Sequence, residues 1–220
     1  MLLTLKSVII NLYLLKINMK KNLLTVVLVF GAVAATSAQS TFGVRTGLNL
    51  ATEYVRQNNQ SSTTKIAPSF HLTGYYDARV SPGFSIQPGL SLQGKGGKSD
   101  LGGEVLTDKL LYLEVPVNFL GRVQAGNGEV FFGGGPYIAY GVSARVTSGR
   151  NARHLAFGKE PDQLNPFDAG LGFMTGYRFA HGLVLSLSSS AGFVNIGNIE
   201  GTTFQNRVTS FSIGYEFSKR

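Results

Sequence analysis

The sequence predicts an all-β fold: an eight-stranded antiparallel up-and-down transmembrane β-barrel, preceded by a cleavable signal peptide. Three observations predict it. Apolar and polar or tiny residues alternate with period two through eight segments between Phe42 and Phe217, the pattern of strands with one face in hydrocarbon and the other turned to a lumen. Most of these segments exceed the ~5–6 residues usual for soluble strands and reach the ~9–11 that a tilted membrane strand needs. Long and short connections alternate between them, as in barrels with large loops on one side of the membrane and tight turns on the other.

The first element precedes the barrel. From Met19 the chain reads MKKNLLTVVLVFGAVAATSAQS, with Lys20 and Lys21 as a charged start, Leu23 to Val33 as an apolar stretch, and small residues up to Ala38. This is the layout of a secretory signal, with cleavage expected after Ala38. Residues 1–18 add nothing such a signal needs, so translation is expected to begin at Met19. A transmembrane anchor is the weaker alternative, because the apolar stretch is short for a ~20-residue membrane helix. The chain therefore divides into an extension plus signal over 1–38 and a barrel over 39–220, with no linker or second domain expected.

Strand parity places the barrel strands near 42–54, 67–80, 83–94, 108–121, 129–143, 166–180, 183–194 and 204–217. In the first, Phe42, Val44, Leu48 and Leu50 alternate with Gly43, Arg45, Gly47 and Asn49. In the last, Thr209, Phe211, Ile213, Tyr215 and Phe217 alternate with Ser210, Ser212, Gly214 and Glu216. Tyr54, Phe84, Tyr140, Phe167, Phe179 and Tyr215, near strand ends, are expected to form interfacial girdles. The connections after the first, third, fifth and seventh strands are long and polar. Those after the second and sixth are two residues each, and the fourth is RVQAGNGE. Tight turns in the periplasm would put both termini there. Pro68, Pro88, Pro116 and Pro136 resist the pattern, since a closed barrel has no edge to excuse a missing N–H. Bulges or strand ends are expected to take them, with Gly133, Gly134 and Gly135 marking one such place.

Composition removes several function classes. There is no cysteine, hence no disulfide, thiolate metal site or lipid-anchoring cysteine. Formal charge is +8, but Lys6, Lys16, Lys20 and Lys21 fall before residue 38, leaving 16 basic against 12 acidic residues. That balance is too mild to argue for nucleic acid. The three histidines form no metal cluster by position, with His154 in the longest loop and His181 in a turn. No cofactor is expected. Gly94, Gly96 and Gly97, like Gly133 to Gly135, lack the strand-to-helix setting of a phosphate loop.

The inward parity collects charge: Arg45, His71, Asp77, Arg79, Glu114, Asp168, Arg178 and Glu216. An eight-stranded barrel is only wide enough for its side chains to fill, so three arginines and four carboxylates are expected to pair as a plug, with Glu114 partnered by an arginine. His71, with Glu114, Ser85 and Ser91 as candidate neighbours, is the nearest approach to a hydrolytic site. Ser188, Ser189 and Ser190 carry no nucleophile motif. Arg145, Arg150, Arg153 and Lys159, with His154, concentrate positive charge in the fifth connection, and Lys65, Lys95 and Lys98 add to other loops. Outside the cell such residues can meet the phosphates of lipopolysaccharide; the favoured alternative is a solvated loop with incidental charge.

The segments FGVRTGLNLA, YLEVPVNFLG, FFGGGPYIAYG, FDAGLGFMTGYRF and FSIGYEF, in this order behind a signal peptide, resemble the PorT-type outer membrane β-barrel family of Bacteroidota, of the same eight-stranded size as OmpA and OmpX. The resemblance spans the mature chain. It implies an outer-membrane location in a Gram-negative bacterium and assembly by the outer-membrane insertion machinery, and it brings no catalytic residues. The expected function is a non-enzymatic, monomeric barrel, structural or binding through its outer loops. The alternatives are an accessory component of an envelope or protein-secretion complex, with an envelope protein as partner, and a lipid A-modifying barrel enzyme.

Overall fold

A computed structural model of the protein describes residues 40–217. The expected signal peptide lies outside the described residues. Eleven strands form: β1 (Thr41–Gln57), β2 (Gln60–Thr63), β3 (Ala67–Ser81), β4 (Phe84–Lys95), β5 (Lys98–Leu101), β6 (Glu104–Ala125), β7 (Gly128–Ser148), β8 (Asn151–His154), β9 (Phe167–Phe179), β10 (Leu183–Gly192) and β11 (Thr202–Phe217). Eight of them close into an antiparallel ring, β1-β3-β4-β6-β7-β9-β10-β11 and back to β1. Every consecutive pair is a hairpin, so the topology is up-and-down.

The other three strands are short. β2, β5 and β8 pair only beyond the lipid-length part of β1, β6 and β7, making β-ribbons of segments whose polar composition reads as loop. β6 and β7 run for 22 and 21 residues, about twice the ~9–11 that a membrane crossing takes, so their outer halves stand clear of any apolar layer. The fourth connection is tighter than its sequence suggests, because Ala125 already pairs with Gly128.

Side-chain direction follows parity. Phe42, Leu48, Leu72, Leu90, Phe119, Phe132, Ile138, Leu171, Phe173, Leu185, Phe211 and Ile213 all point outward and are exposed, a belt of a kind that water-soluble monomers rarely present. Aromatic pairs rim the short-turn end of this belt, with Phe42 4.9 Å from Tyr76, Tyr177 4.8 Å from Phe179 and Tyr215 5.2 Å from Phe217. Tyr140 pairs with Phe167 at the other rim.

The strand prolines are absorbed by gaps in pairing rather than by bulges. In the β4–β6 ladder Pro88 pairs with Val117 and Ser91 with Glu114; in the β6–β7 ladder Pro116 pairs with Tyr137 and Phe119 with Gly134. Between these pairs the ladder lapses for two residues and resumes in the same register. A Cβ on Gly135 would overlap the carbonyl oxygen of Val117, so the glycine run serves close backbone approach beside Pro116 and Pro136. Pro68 lies beyond the last β3–β4 pair, His71 with Gln93. Register shifts fall elsewhere, at Arg79/Ser81 and Leu111/Tyr112.

The interior has two apolar layers. Leu120, Phe131, Met174 and Val184 pack across the lumen toward the short-turn end. At the long-loop end the segments 155–166 and 193–201 fold over the mouth, where Leu155, Phe157 and Leu164, with Phe204 of β11, pack on a cluster of Leu110, Tyr112, Tyr137, Ala139, Ala144 and Ile196. Isolated bridges from Leu164 to Phe157 and to Gly197 tie the two segments together.

Candidate functional site

Because inward residues recur every second position, each strand delivers polar side chains to successive levels of the lumen. Nearest the short turns, β3, β6, β7, β9 and β11 bring together three arginines and three carboxylates. Arg79 holds Glu129 through two bonds, at 2.6 and 2.5 Å. Arg122 reaches Asp77 at 2.7 Å and Glu129 at 3.4 Å, and Arg178 donates to Glu216 at 2.5 Å. Arg122 and Glu129 were not among the residues the sequence singled out. Both follow the parity of their strands, but they sit in the stretch RVQAGNGE, whose glycines and polar residues read as a loop.

A second group lies above mid-height. Lys95, 1 % exposed, stands 2.8 Å from Glu114 and 3.1 Å from Asp168, with its ammonium 4.1 Å above the ring of Tyr137. Asn206 donates to the same Asp168 oxygen at 3.0 Å. The sequence reading put Lys95 on an outer loop and gave Glu114 an arginine. The correction is physical: β4 continues to Lys95, the odd parity of Ser85, Gln87, Ser91 and Gln93 carries it inward, and its four-carbon stem brings a point charge between two carboxylates. The parity signal was present, hidden by the glycines after it.

Between the two groups, Arg45 donates to Gln87 at 3.0 Å and lies 4.8 Å above the ring of Tyr75, with no carboxylate within ion-pair distance among the described residues. Its charge offsets the extra carboxylate beside Lys95. His71 is held on both sides, Nδ1 donating to Asn49 at 2.7 Å and Nε2 accepting from Ser212 at 3.1 Å. Asn49 also donates to the carbonyls of Phe70 and Gly94 and accepts from Ser210, which fixes its amide orientation and hence the donor nitrogen of His71. Neither Glu114, Ser85 nor Ser91 bonds the imidazole: Ser85 is taken by Arg122 and Ser91 by Thr73. The serine–histidine–carboxylate arrangement considered from sequence is not assembled. A cavity of about 70 Å³, lined by His71, Ser91, Ser186, Ser188 and Ser212 among others, leaves room for a few waters but for no wide passage.

At the long-loop end the outward face turns from apolar to basic. Lys109 on β6 is directly opposite Arg145 on β7, Arg145 is opposite His154 on β8, and Lys98 on β5 is opposite Thr107, two residues from Lys109 on the same face. Arg145 donates to Nε2 of His154 at 3.1 Å. Of the four residues expected to act together in the fifth connection, Arg145, Arg150 and Arg153 share the β7–β8 ribbon, but Arg153 is paired with Val146 and so turns to the other face. Lys159 belongs to the segment over the mouth. Lys98 and Lys109 take their places, a grouping visible only once the register is known.

Above the apolar belt, where Thr52, Arg207 and Lys109 face outward, Glu53 and Asp108 point inward and share a hydrogen bond. Burial, then the charge of Asp108, pushes the Glu53 carboxyl up to about 8; burial likewise raises Asp108. Among the described residues no Lys or Arg pairs with either.

Residues 36–198 match the family model described as outer membrane protein beta-barrel domain. The chain belongs to that family. The outer-membrane barrel so identified is also similar to solved structures: Ail, the attachment invasion locus protein of Yersinia pestis (12% identity, 83% of this chain and 100% of that one, TM-score 0.42), Neisserial surface protein A (13%, 80% and 97%, 0.45), and OprG from Pseudomonas aeruginosa (10%, 83% and 98%, 0.35). No curated protein matches the sequence. With the family established, the outward apolar belt is the lipid-facing surface of an outer-membrane barrel, and the paired charges are its lumen.

Proposed function

We propose that this barrel is a non-enzymatic, monomeric integral outer-membrane protein of a Gram-negative cell, exported by the signal before Gln39, inserted by the outer-membrane assembly machinery, and closer within its family to the PorT-type members. Its termini and short turns face the periplasm and its ribbons stand outside, where it docks lipopolysaccharide. The observation that carries this reading is the basic row of Lys98, Lys109 and Arg145 on the outward face just past the lipid belt. Like charges directly opposite each other across a strand pair repel, so Lys109 and Arg145 favour an anion between them. The phosphates of lipid A lie at that depth and accept from both side chains. A lumen filled with paired charges supports binding at the rim over transport. The long ribbons equally suit an envelope protein partner, as in an accessory of a secretion complex. The occupied nitrogens of His71 weigh against lipid A modification in the lumen.

The test is retention of lipopolysaccharide. Barrel refolded with lipopolysaccharide and captured in nanodiscs should hold about tenfold more of it than the Lys109→Gln/Arg145→Gln variant, with phosphatidylethanolamine retention unchanged. Equal lipopolysaccharide retention by the two proteins would remove the proposal.

A further inference from the structure

The cleft at the long-loop end is the least accounted for part of the molecule. It encloses about 250 Å³ between β1, β6, β11 and the two segments over the mouth. Its walls are apolar, made by Leu110, Leu155, Leu164, Ile196, Ile199 and Phe204, while Glu53 and Asp108 close its floor and Asp162 lies at its rim. Glu53 is only 4 % exposed, and the one side-chain partner it has is another carboxyl.

The walls are pinned without any ligand. Asn198 donates to the carbonyls of Gly158, Glu160 and Gln163, joining one segment to the other. Asn195 donates to Thr202 and accepts from the N–H groups of Gly197 and Phe204. A pocket held open by its own backbone bonds loses little on binding. For stability alone, one buried and one half-buried carboxyl against an apolar wall would be better replaced by apolar residues. Lys95, the lysine of the lumen, is committed elsewhere, to Glu114 and Asp168.

We propose that this cleft is a binding site for a small amphiphilic cation, a primary ammonium on an apolar body of about ten heavy atoms. The ammonium sits between the carboxylates of Glu53 and Asp108, giving each the cation it lacks, and the body lies against Leu110, Leu164, Ile196 and Phe204. An engineered apolar cavity of about 150 Å³ takes benzene, so about 250 Å³ accommodates a ring with a short amine-bearing arm. The site is inside the protein, separate from the outward basic row, and is independent of which side of the membrane the cleft faces.

The full barrel in nanodiscs, titrated at pH 8 with 2-phenylethylammonium and followed by calorimetry and by the methyl shifts of Leu164, Ile196 and Ile199, tests the proposal. Neutral 2-phenylethanol and anionic 3-phenylpropanoate control for shape and for partition into lipid. Saturable amine binding at least tenfold tighter than that of the alcohol, no saturable binding of the carboxylate, and at least a tenfold loss in both Glu53→Gln and Asp108→Asn support it. An alcohol that binds as well as the amine, variants that bind unchanged, or an amine that moves no cleft methyl would each overturn it. Gln124→Ala, at the exposed short-turn end of β6 and away from the cleft, should bind the amine as the wild type does; a matching loss there would also contradict the site.

Discussion

At the scale of single residues, the account turns on charges held out of water. Lys95 is enclosed by Glu114, Asp168 and the Tyr137 ring, so removing its ammonium leaves two carboxylates without a cation. Breaking one side of a buried ion pair costs about 3–5 kcal/mol. Lys95→Met should therefore lower the temperature at which the folded barrel loses its compact gel mobility far more than Lys65→Met, whose lysine is exposed beside Asp100. Equal shifts for the two variants would show that Lys95 is not paired. Glu53 gives a prediction of opposite character. Its carboxyl is raised in the folded state, so the folded form binds its proton more tightly than the unfolded one. The resulting stability is complete below the ordinary carboxylate range and is lost as pH rises toward about 8, because there the unfolded state has already released its proton. Amide exchange at Asn165, whose N–H bonds across the cap to Ile196, and at Ile196, whose N–H bonds to Phe204 on β11, should lose protection between pH 5.5 and 8 after correction for intrinsic exchange. In Glu53→Gln the protection should stay constant.

At the scale of elements, parity in β10 predicts unequal tolerance of neighbouring positions. Leu185 faces lipid, and an arginine there costs about 2–4 kcal/mol near the bilayer midplane. Ser186 faces the small lumen cavity, which has space for the few extra atoms of asparagine. Leu185→Arg should thus lower the yield of folding into lipid vesicles well below that of Ser186→Asn, and equal yields would reverse the two faces. The strands themselves were largely legible, because a period-two pattern survives wherever one face meets lipid. What was not legible has two physical sources. Glycines and polar residues at strand ends read as turns, which hid the inward Lys95, Arg122 and Glu129. The short strands β2, β5 and β8 are mostly polar in sequence and stand above the membrane, so their side chains give no periodic apolar signal. The prolines were legible as a difficulty but not as a solution, since a gap in pairing that keeps register leaves no trace in composition.

At the scale of the whole molecule, the barrel is a lipid-facing shell around an interior that is filled rather than open. Two ionic groups, an apolar layer of Leu120, Phe131, Met174 and Val184, and an apolar cap occupy it in turn. On the proposed reading, exchange with the surroundings is at the rim, in the outward basic row and the cleft under the cap. The sequence reading singled out the charged inward residues and named no apolar layer, because inward Leu120, Phe131 and Val184 look the same in sequence as lipid-facing residues one position away. The most direct measurement is single-channel recording of the purified barrel in planar bilayers. The account predicts a flat baseline with no stable steps, since paired charges and packed apolar side chains fill the lumen. Large, regular conductance steps from the wild-type protein would contradict it.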